Sequence, residues 1–258
     1  MFELPRITAS GLVAQIDYQE SVGSTSDRAL ELAARGDPKL PLLVLAERQT
    51  AGRGRGTNRW WAAEGALTFS LVLDAPESKL TPERWPQWSL VAGLAVCEAL
   101  AALAPGGEWR LKWPNDVFLN GGKICGILCE SVPGSKDRLA IGVGVNINNS
   151  LAVAPEEIRI AGRALIDLDG RRLDLTAVLL AILDKLDEVW TLLSQKSFAH
   201  LASSYRERCF LTGKTLTITS AADTLTGRCR GIDDAGALVL QTEAGIHPVI
   251  SGTIQSWD

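Results

Sequence analysis

Histidine is nearly missing from this chain, with only His200 and His247 among 258 residues. A Ser-His-Asp or Cys-His apparatus would need one of them. Neither stands near a nucleophile motif such as G-x-S-x-G, so a hydrolase triad is set aside. Paired cysteine is lacking too. Cys97, Cys125, Cys129, Cys209 and Cys229 are odd in number, scattered and free of a C-x-x-C spacing. That argues against a disulfide framework and a zinc site, and no metal ligands are assigned. Cys125 and Cys129 lie four apart in a strand-like segment, which puts them on one face as packed thiols. No apolar run looks long enough to cross a bilayer, and the opening MFELPRITAS lacks the layout of a signal peptide. The cytoplasm is the default expectation, with no membrane partner. Excess basic charge is likewise absent: 26 Lys and Arg against 30 Asp and Glu give a net charge of −4, without the footprint of nucleic-acid binding.

What is present suits a globular chain with one sizeable core and a small second domain, at 46% hydrophobic and 22% charged residues. Strands are expected at residues 13–18, 42–46, 66–73, 109–113, 117–119, 123–130 and 139–147. Asn120-Gly121-Gly122 gives a hairpin signal between two of them. Ser24, Thr25 and Ser26 offer N-cap oxygens to a helix that Gly36 ends. Helices are also expected at 89–103, 174–193 and 198–208, whereas 155–168 shows no clear pattern. After Cys209 the pattern turns to five brief strands with Asp- and Gly-containing turns, the mark of a small barrel. The expected domains are residues 1–208 and 209–258. The first is read as an α/β fold on a mixed sheet, not a βαβ repeat.

Three polar groupings fall at strand ends in the first domain. One is residues 46–61, AERQTAGRGRGTNRWW, where Arg53 and Arg55 are interleaved with Gly52, Gly54 and Gly56, with Gln49 before and Trp60 after. Glycines admit a ligand to main-chain N–H groups, and arginine offers a planar fork to phosphate or carboxylate. A solvated basic turn is the plainer reading of that loop alone. The second grouping is Lys112, Asn115, Asp116 and Lys123. Lys123 also reads as surface lysine, and Asn115 and Asp116 as turn formers. The third is GVGVNIN, where Gly142 and Gly144 leave one strand face bare for a ligand or another backbone and Asn146 follows. Together they suggest a site for a nucleotide with an apolar partner. No P-loop is present, and G-x-G-x-G runs into tryptophans, not a helix.

These motifs, in this order, resemble those of biotin–protein ligases of the short, single-function kind. The resemblance rests on Ser24-Thr25-Ser26, on Gln49 to Gly56 with Trp60, on Lys112-Trp113-Pro114-Asn115-Asp116, and on Lys123-Ile124-Cys125-Gly126. It continues through Gly142 to Asn148 and the barrel's Arg230-Gly231-Ile232-Asp233 and Gly236-Ala237-Leu238. It implies a mixed-sheet catalytic domain like those of class II aminoacyl-tRNA synthetases and lipoate ligases, plus an SH3-like barrel. It implies a two-step reaction: biotin and ATP give biotinyl-5′-AMP, from which a lysine of a biotin carboxyl-carrier domain of a carboxylase takes the biotin. By the same resemblance Ser24, Thr25, Gln49, Gly52, Arg53, Lys123 and Gly126 would bind biotin. Arg53, Arg55, Trp60, Asn115, Lys123 and Asn146 would bind ATP and the adenylate. Arg55, Lys123, Asp116 and Lys112 would carry the catalysis, with Asp116 near the phosphates and Mg²⁺ or the incoming lysine.

Three departures stand out. Thr57-Asn58 replaces a second glycine–arginine pair, Ser26 replaces an asparagine, and the chain closes Gln255-Ser256-Trp257-Asp258 where relatives often add a basic residue. A barrel contact to nucleotide is therefore not expected there. Repressor activity and a nucleic-acid partner are not expected either, and the resemblance allows a homodimer. The rival readings are a lipoate or octanoate ligase on the same fold and a non-catalytic biotin-binding module. The loop at 46–61, with three glycines and few packing contacts, is expected to be mobile when empty and to order over ligand.

Overall fold

The computed structural model describes residues 1–75, 84–220 and 223–258. Its elements run α1 (Leu4–Ala9), β1 (Gln15–Gln19), α2 (Thr25–Arg35), β2 (Leu42–Ala46), β3 (Leu67–Asp74), α3 (Trp85–Leu103), β4 (Trp109–Lys112), β5 (Asp116–Leu119), β6 (Gly122–Ser131) and β7 (Arg138–Val145). There follow α4 (Glu156–Ala161), α5 (Leu175–Gln195), α6 (Ala199–Arg208), β8 (Thr215–Thr219), β9 (Thr224–Ile232), β10 (Leu238–Thr242), β11 (Gly245–Val249) and β12 (Thr253–Trp257).

The first seven strands form one sheet in the order β1-β2-β3-β7-β6-β5-β4, parallel only between β1 and β2. Each residue of β2, LLVLA, is buried because both faces are covered. Val44 and Leu42 meet Ala29 and Ala33 of α2 on one face, while Leu43 and Leu45 join the main core on the other. The main core lies between the sheet and the packed pair α3 and α5, joined by Trp88 against Trp190 at 4.5 Å between ring centroids. Helix α3 starts earlier than expected, and Pro86–Leu103 is long and apolar enough to cross a membrane. That corrects the expectation that no run reaches such a length, and 61% of the stretch is buried within the fold. Between β5 and β6 both turn residues take positive φ, 48° at Asn120 and 78° at Gly121, as the two-residue hairpin requires. Cys125 and Cys129 lie in the regular part of β6, and burial pushes the Cys129 thiol up to about 12.

The last five strands make a separate antiparallel sheet, ordered β11-β10-β9-β8-β12 and bent by irregular register in the β9–β10 and β8–β12 ladders. It is tied to the larger sheet by Phe210 N–H donating to the Leu111 carbonyl at 2.8 Å, and by Phe210 stacked on Phe118. The buried Trp113 donates its indole N–H to the Gly236 carbonyl at 3.2 Å. Trp113 thus serves two purposes, filling the core and fastening the sheets. Trp113→Ala should cost about 3–5 kcal/mol of folding stability, read by denaturant titration. A loss under about 1 kcal/mol would show that the junction does not depend on it.

Candidate functional site

A cavity of about 1180 Å³ opens where the loop after β2, the β4–β5 turn, β6, β7, α4 and the start of β12 converge. Of the residues singled out from the sequence, Thr25, Gln49, Gly52, Arg53, Arg55, Trp60, Lys112, Asn115, Asp116, Lys123 and Gly126 line it. Ser24 and Asn146 do not.

The glycine–arginine loop is a small hairpin, closed by Trp60 N–H to the Gly52 carbonyl at 3.0 Å and Gly54 N–H to the Asn58 carbonyl at 2.9 Å. Thr57 and Asn58, where relatives have a further glycine–arginine pair, form part of its turn. Residues 56–59 of the turn are exposed, yet both arginines are anchored. Arg53 gives two parallel hydrogen bonds to Glu130, at 2.9 and 2.6 Å, and its Nε lies 2.7 Å from Asp27. Arg55 donates to the Gly252 carbonyl, 197 residues further along the chain. Burial holds the Arg55 guanidinium below its ordinary pKa, with Asp116 acting against that.

Beneath the loop, Gly126 and Gly144 pair directly across β6 and β7. The bare face they leave is covered by the Trp60 indole, not by a backbone or an open gap. A Cβ on Gly144 would stand 2.4–2.8 Å from Trp60 ring atoms, closer than such atoms can approach. The Trp60 indole nitrogen is buried without a hydrogen-bond partner. Beside it, Thr25 donates from its N–H and hydroxyl to the Gln49 side-chain carbonyl at 2.7 and 3.1 Å. Ser70 donates to the Thr25 hydroxyl at 2.9 Å, and Ser26 faces Ser70 at 3.2 Å. Of the serine–threonine run, Ser24 keeps the capping role by accepting from Asp27 N–H at 3.4 Å. Thr25 is taken up by the site.

The charges meet at Asp116. Lys123 Nζ is 2.5 Å from one carboxylate oxygen, and Lys112 Nζ is 3.8 Å from the other. Lys112 is largely buried, and its pKa is pushed below the ordinary lysine value, first by burial and then by Lys123 and Arg55, with Asp116 opposing. Three cations therefore face one carboxylate, so the cavity's interior favours anions. Asn115 fixes the turn, its side-chain amide donating to the Ile127 carbonyl at 2.8 Å. Asn146 donates to the Arg163 carbonyl at 3.1 Å and accepts from Asn149 at 3.0 Å, so it supports the segment behind the wall. Two walls escaped the sequence reading. Pro155, Glu157, Ile158 and Ala161 come from a stretch without clear periodicity. Gly252, Thr253 and Ile254, at the start of the last strand, bring the second sheet to the cavity. Only Gly252 carries any hint, as a glycine before a strand.

Comparison with known proteins agrees with this geometry. Residues 18–148 match the model of the biotin/lipoate A/B protein ligase family, and residues 212–257 match that of the biotin protein ligase C terminal domain. The biotin–[acetyl-CoA-carboxylase] ligase of Mycobacterium tuberculosis is 33% identical over 93% of this chain and 88% of its own length. The corresponding ligase of Paracoccus denitrificans is 34% identical over 86% of this chain and 92% of its own. Among solved structures, the biotin protein ligase of Aquifex aeolicus in complex with biotin and ATP superposes with a TM-score of 0.82 at 31% identity. That match covers 95% of this chain and 99% of the other.

A lysine held below its ordinary pKa in the fold weakens the folded state while it is charged. Stability should therefore rise with pH, from the folded Lys112 midpoint up towards the ordinary lysine value of 10.5. Lys112→Met should flatten that rise and unfold at a higher temperature at neutral pH, as measured by calorimetry across pH. An unchanged slope would show that Lys112 is not under electrostatic strain.

Proposed function

We infer the reaction from one premise: the chain belongs to the biotin/lipoate A/B protein ligase family. It is a ligase that uses ATP to attach biotin to a lysine of a biotin-carrier protein through biotinyl-5′-AMP. The observation that carries this to particular residues is the Asp116 carboxylate between Lys112 and Lys123, with Arg55 facing the same cavity.

In the first step a biotin carboxylate oxygen attacks the α-phosphorus of ATP and the bond to pyrophosphate breaks. Two anions must be held together while negative charge spreads, so fixed cations and correct placement are the protein's main contribution. We assign Lys123 and Arg55 to that charge, and Lys112 to the pyrophosphate side. Arg53, held by Glu130 and Asp27, would fix the loop, with Gly52, beside the biotin. Thr25 and Gln49, already aligned by one another, would hydrogen-bond the polar ring head, with the backbone of Gly126; Ser24 supports them as the helix cap. Trp60 and Asn115 would border the adenylate, and Asn146 would act by holding the wall behind it.

In the second step the acceptor amine attacks the acyl carbon, AMP leaves, and one amine proton must be removed. We assign that proton to Asp116, whose carboxylate stands between Lys112 and Lys123. We assign catalysis to residues 1–208 and completion of the cavity to 209–258. The acceptor is proposed to be the carrier domain of a carboxylase, as the names of the relatives suggest. Among the described residues no group of three His, Cys, Asp or Glu side chains could hold a metal, and both Asp116 oxygens face lysines. That donor set does not fit a resident magnesium ion, so we assign Mg²⁺ only as a counter-ion that enters with ATP.

The decisive assay mixes the purified chain with labelled biotin or lipoate, ATP and a carrier-domain acceptor, with Lys123→Ala as control. Biotin should label the acceptor, lipoate should not, and Lys123→Ala should lose about 10²-fold or more in rate. Asp116→Asn should still release pyrophosphate with biotin yet transfer biotin to the acceptor slowly. An equal loss of both steps would remove Asp116 from the proton transfer.

A further inference from the structure

Lys112 touches a residue from the far end of the chain that neither the motifs nor the reaction accounts for. Its Nζ stands 4.4 Å from the centroid of the Trp257 ring and 5.8 Å from that of Phe118. We propose that Trp257 is a positioning residue for Lys112: its indole face holds the ammonium, so the last strand fixes where one cation of the reaction site stands. This rests on the ligase reading above.

The contact is built, not incidental. Trp257 is 42% exposed, so burial alone does not explain an aromatic ring there. It packs edge-on against Phe210 at 6.4 Å, and Phe210 stacks on Phe118 at 4.8 Å, making a short aromatic column between the two sheets. The strand beneath it is pinned. Trp257 pairs with Leu216, and the next residue, Asp258, accepts from Thr215 N–H at 2.8 Å and from Lys214 Nζ at 2.6 Å. Asp258 is thereby committed to β8 and its approach, leaving the ring as the partner β12 offers to Lys112.

The other charged groups around Lys112 explain why a ring suits this place. Asp116 of β5 faces it at 3.8 Å but is held closer by Lys123 of β6, at 2.5 Å. Lys123 and Arg55 of the loop repel it, and burial opposes its charge. A second carboxylate would steady the ammonium but cancel positive charge needed for ATP. An aromatic face attracts the cation through its quadrupole and adds no net charge. The Trp257 ring therefore keeps Lys112 in place and charged while the cavity remains positive.

The test uses the full chain with Trp257→Leu, which keeps apolar bulk without a π face, and Trp257→Phe, which keeps the face. If the leucine variant unfolds, Trp257→Met takes its place. The first readout is the titration midpoint of Lys112 in the ligand-free protein, followed by NMR of labelled lysine and assigned by loss of its signal in Lys112→Arg. Leucine should lower the midpoint by roughly half a pH unit, and phenylalanine should leave it near that of the unmodified chain. A midpoint unmoved by leucine, or moved equally by both variants, overturns the contact. The second readout is biotin-dependent pyrophosphate exchange against pH, whose alkaline limb should move to lower pH by a similar amount in Trp257→Leu alone. An unmoved limb beside a shifted midpoint overturns the role in the reaction. If the unmodified chain shows no exchange with biotin, the ligase reading fails instead, and the Lys112 titration still decides the contact.

Discussion

One carboxylate shared by two lysines is the constraint on which this structure turns. Asp116 cannot neutralise Lys112, Lys123 and Arg55 together, and the fold is arranged around holding that imbalance in place. Lys123 follows a tight hairpin and reaches Asp116 at 2.5 Å. Asn115 locks the preceding turn to β6. Arg55 is tethered to the second sheet at Gly252, and Lys112 is covered by an indole from the same sheet. Three cations sharing one carboxylate leave the cavity with positive charge to offer an anion.

The second sheet is more than a neighbour to this arrangement. It supplies the carbonyl that holds Arg55, three residues of the cavity wall and the ring over Lys112. Its attachment through Trp113 comes from within the same five-residue run that carries Lys112 and Asp116. Displacing that sheet would disturb the charged centre directly, through the backbone that positions it.

Much of the fold was legible in local pattern. The buried strand at 42–46, the Asn-Gly turn and the five short strands after Cys209 are written in residue type and short spacing, and they appear where expected. Lys112, Asp116 and Lys123, grouped in the sequence by nearness alone, do come together, across the β4–β5 turn and a β5–β6 hairpin whose register shifts between Val117 and Phe118. What was not legible depends on long-range packing. Gly144 announces a bare face but not that Trp60 will cover it. Asn146 looks like a ligand contact from its motif, yet its amide is used to hold Arg163. The wall from α4 lacks any periodic signature. The Arg55–Gly252 and Lys112–Trp257 contacts join residues separated by most of the chain, where no local rule reaches. The anchors of the loop at 46–61, Glu130 and Gly252, likewise lie far away in sequence.

The glycine floor also limits how this cavity can change over evolutionary time. A methyl group at 144 would collide with the Trp60 ring, and one at 142 would come within 2.4 Å of the Ser26 hydroxyl. At 144 the clash is with the body of a ring, so a side chain there requires Trp60 to move with it. Helix α4, which forms part of the rim, has no buried residue and is free of that restriction. Substitution is thus easier at the α4 side of the cavity than at its glycine floor, where a new side chain needs a second change beside it.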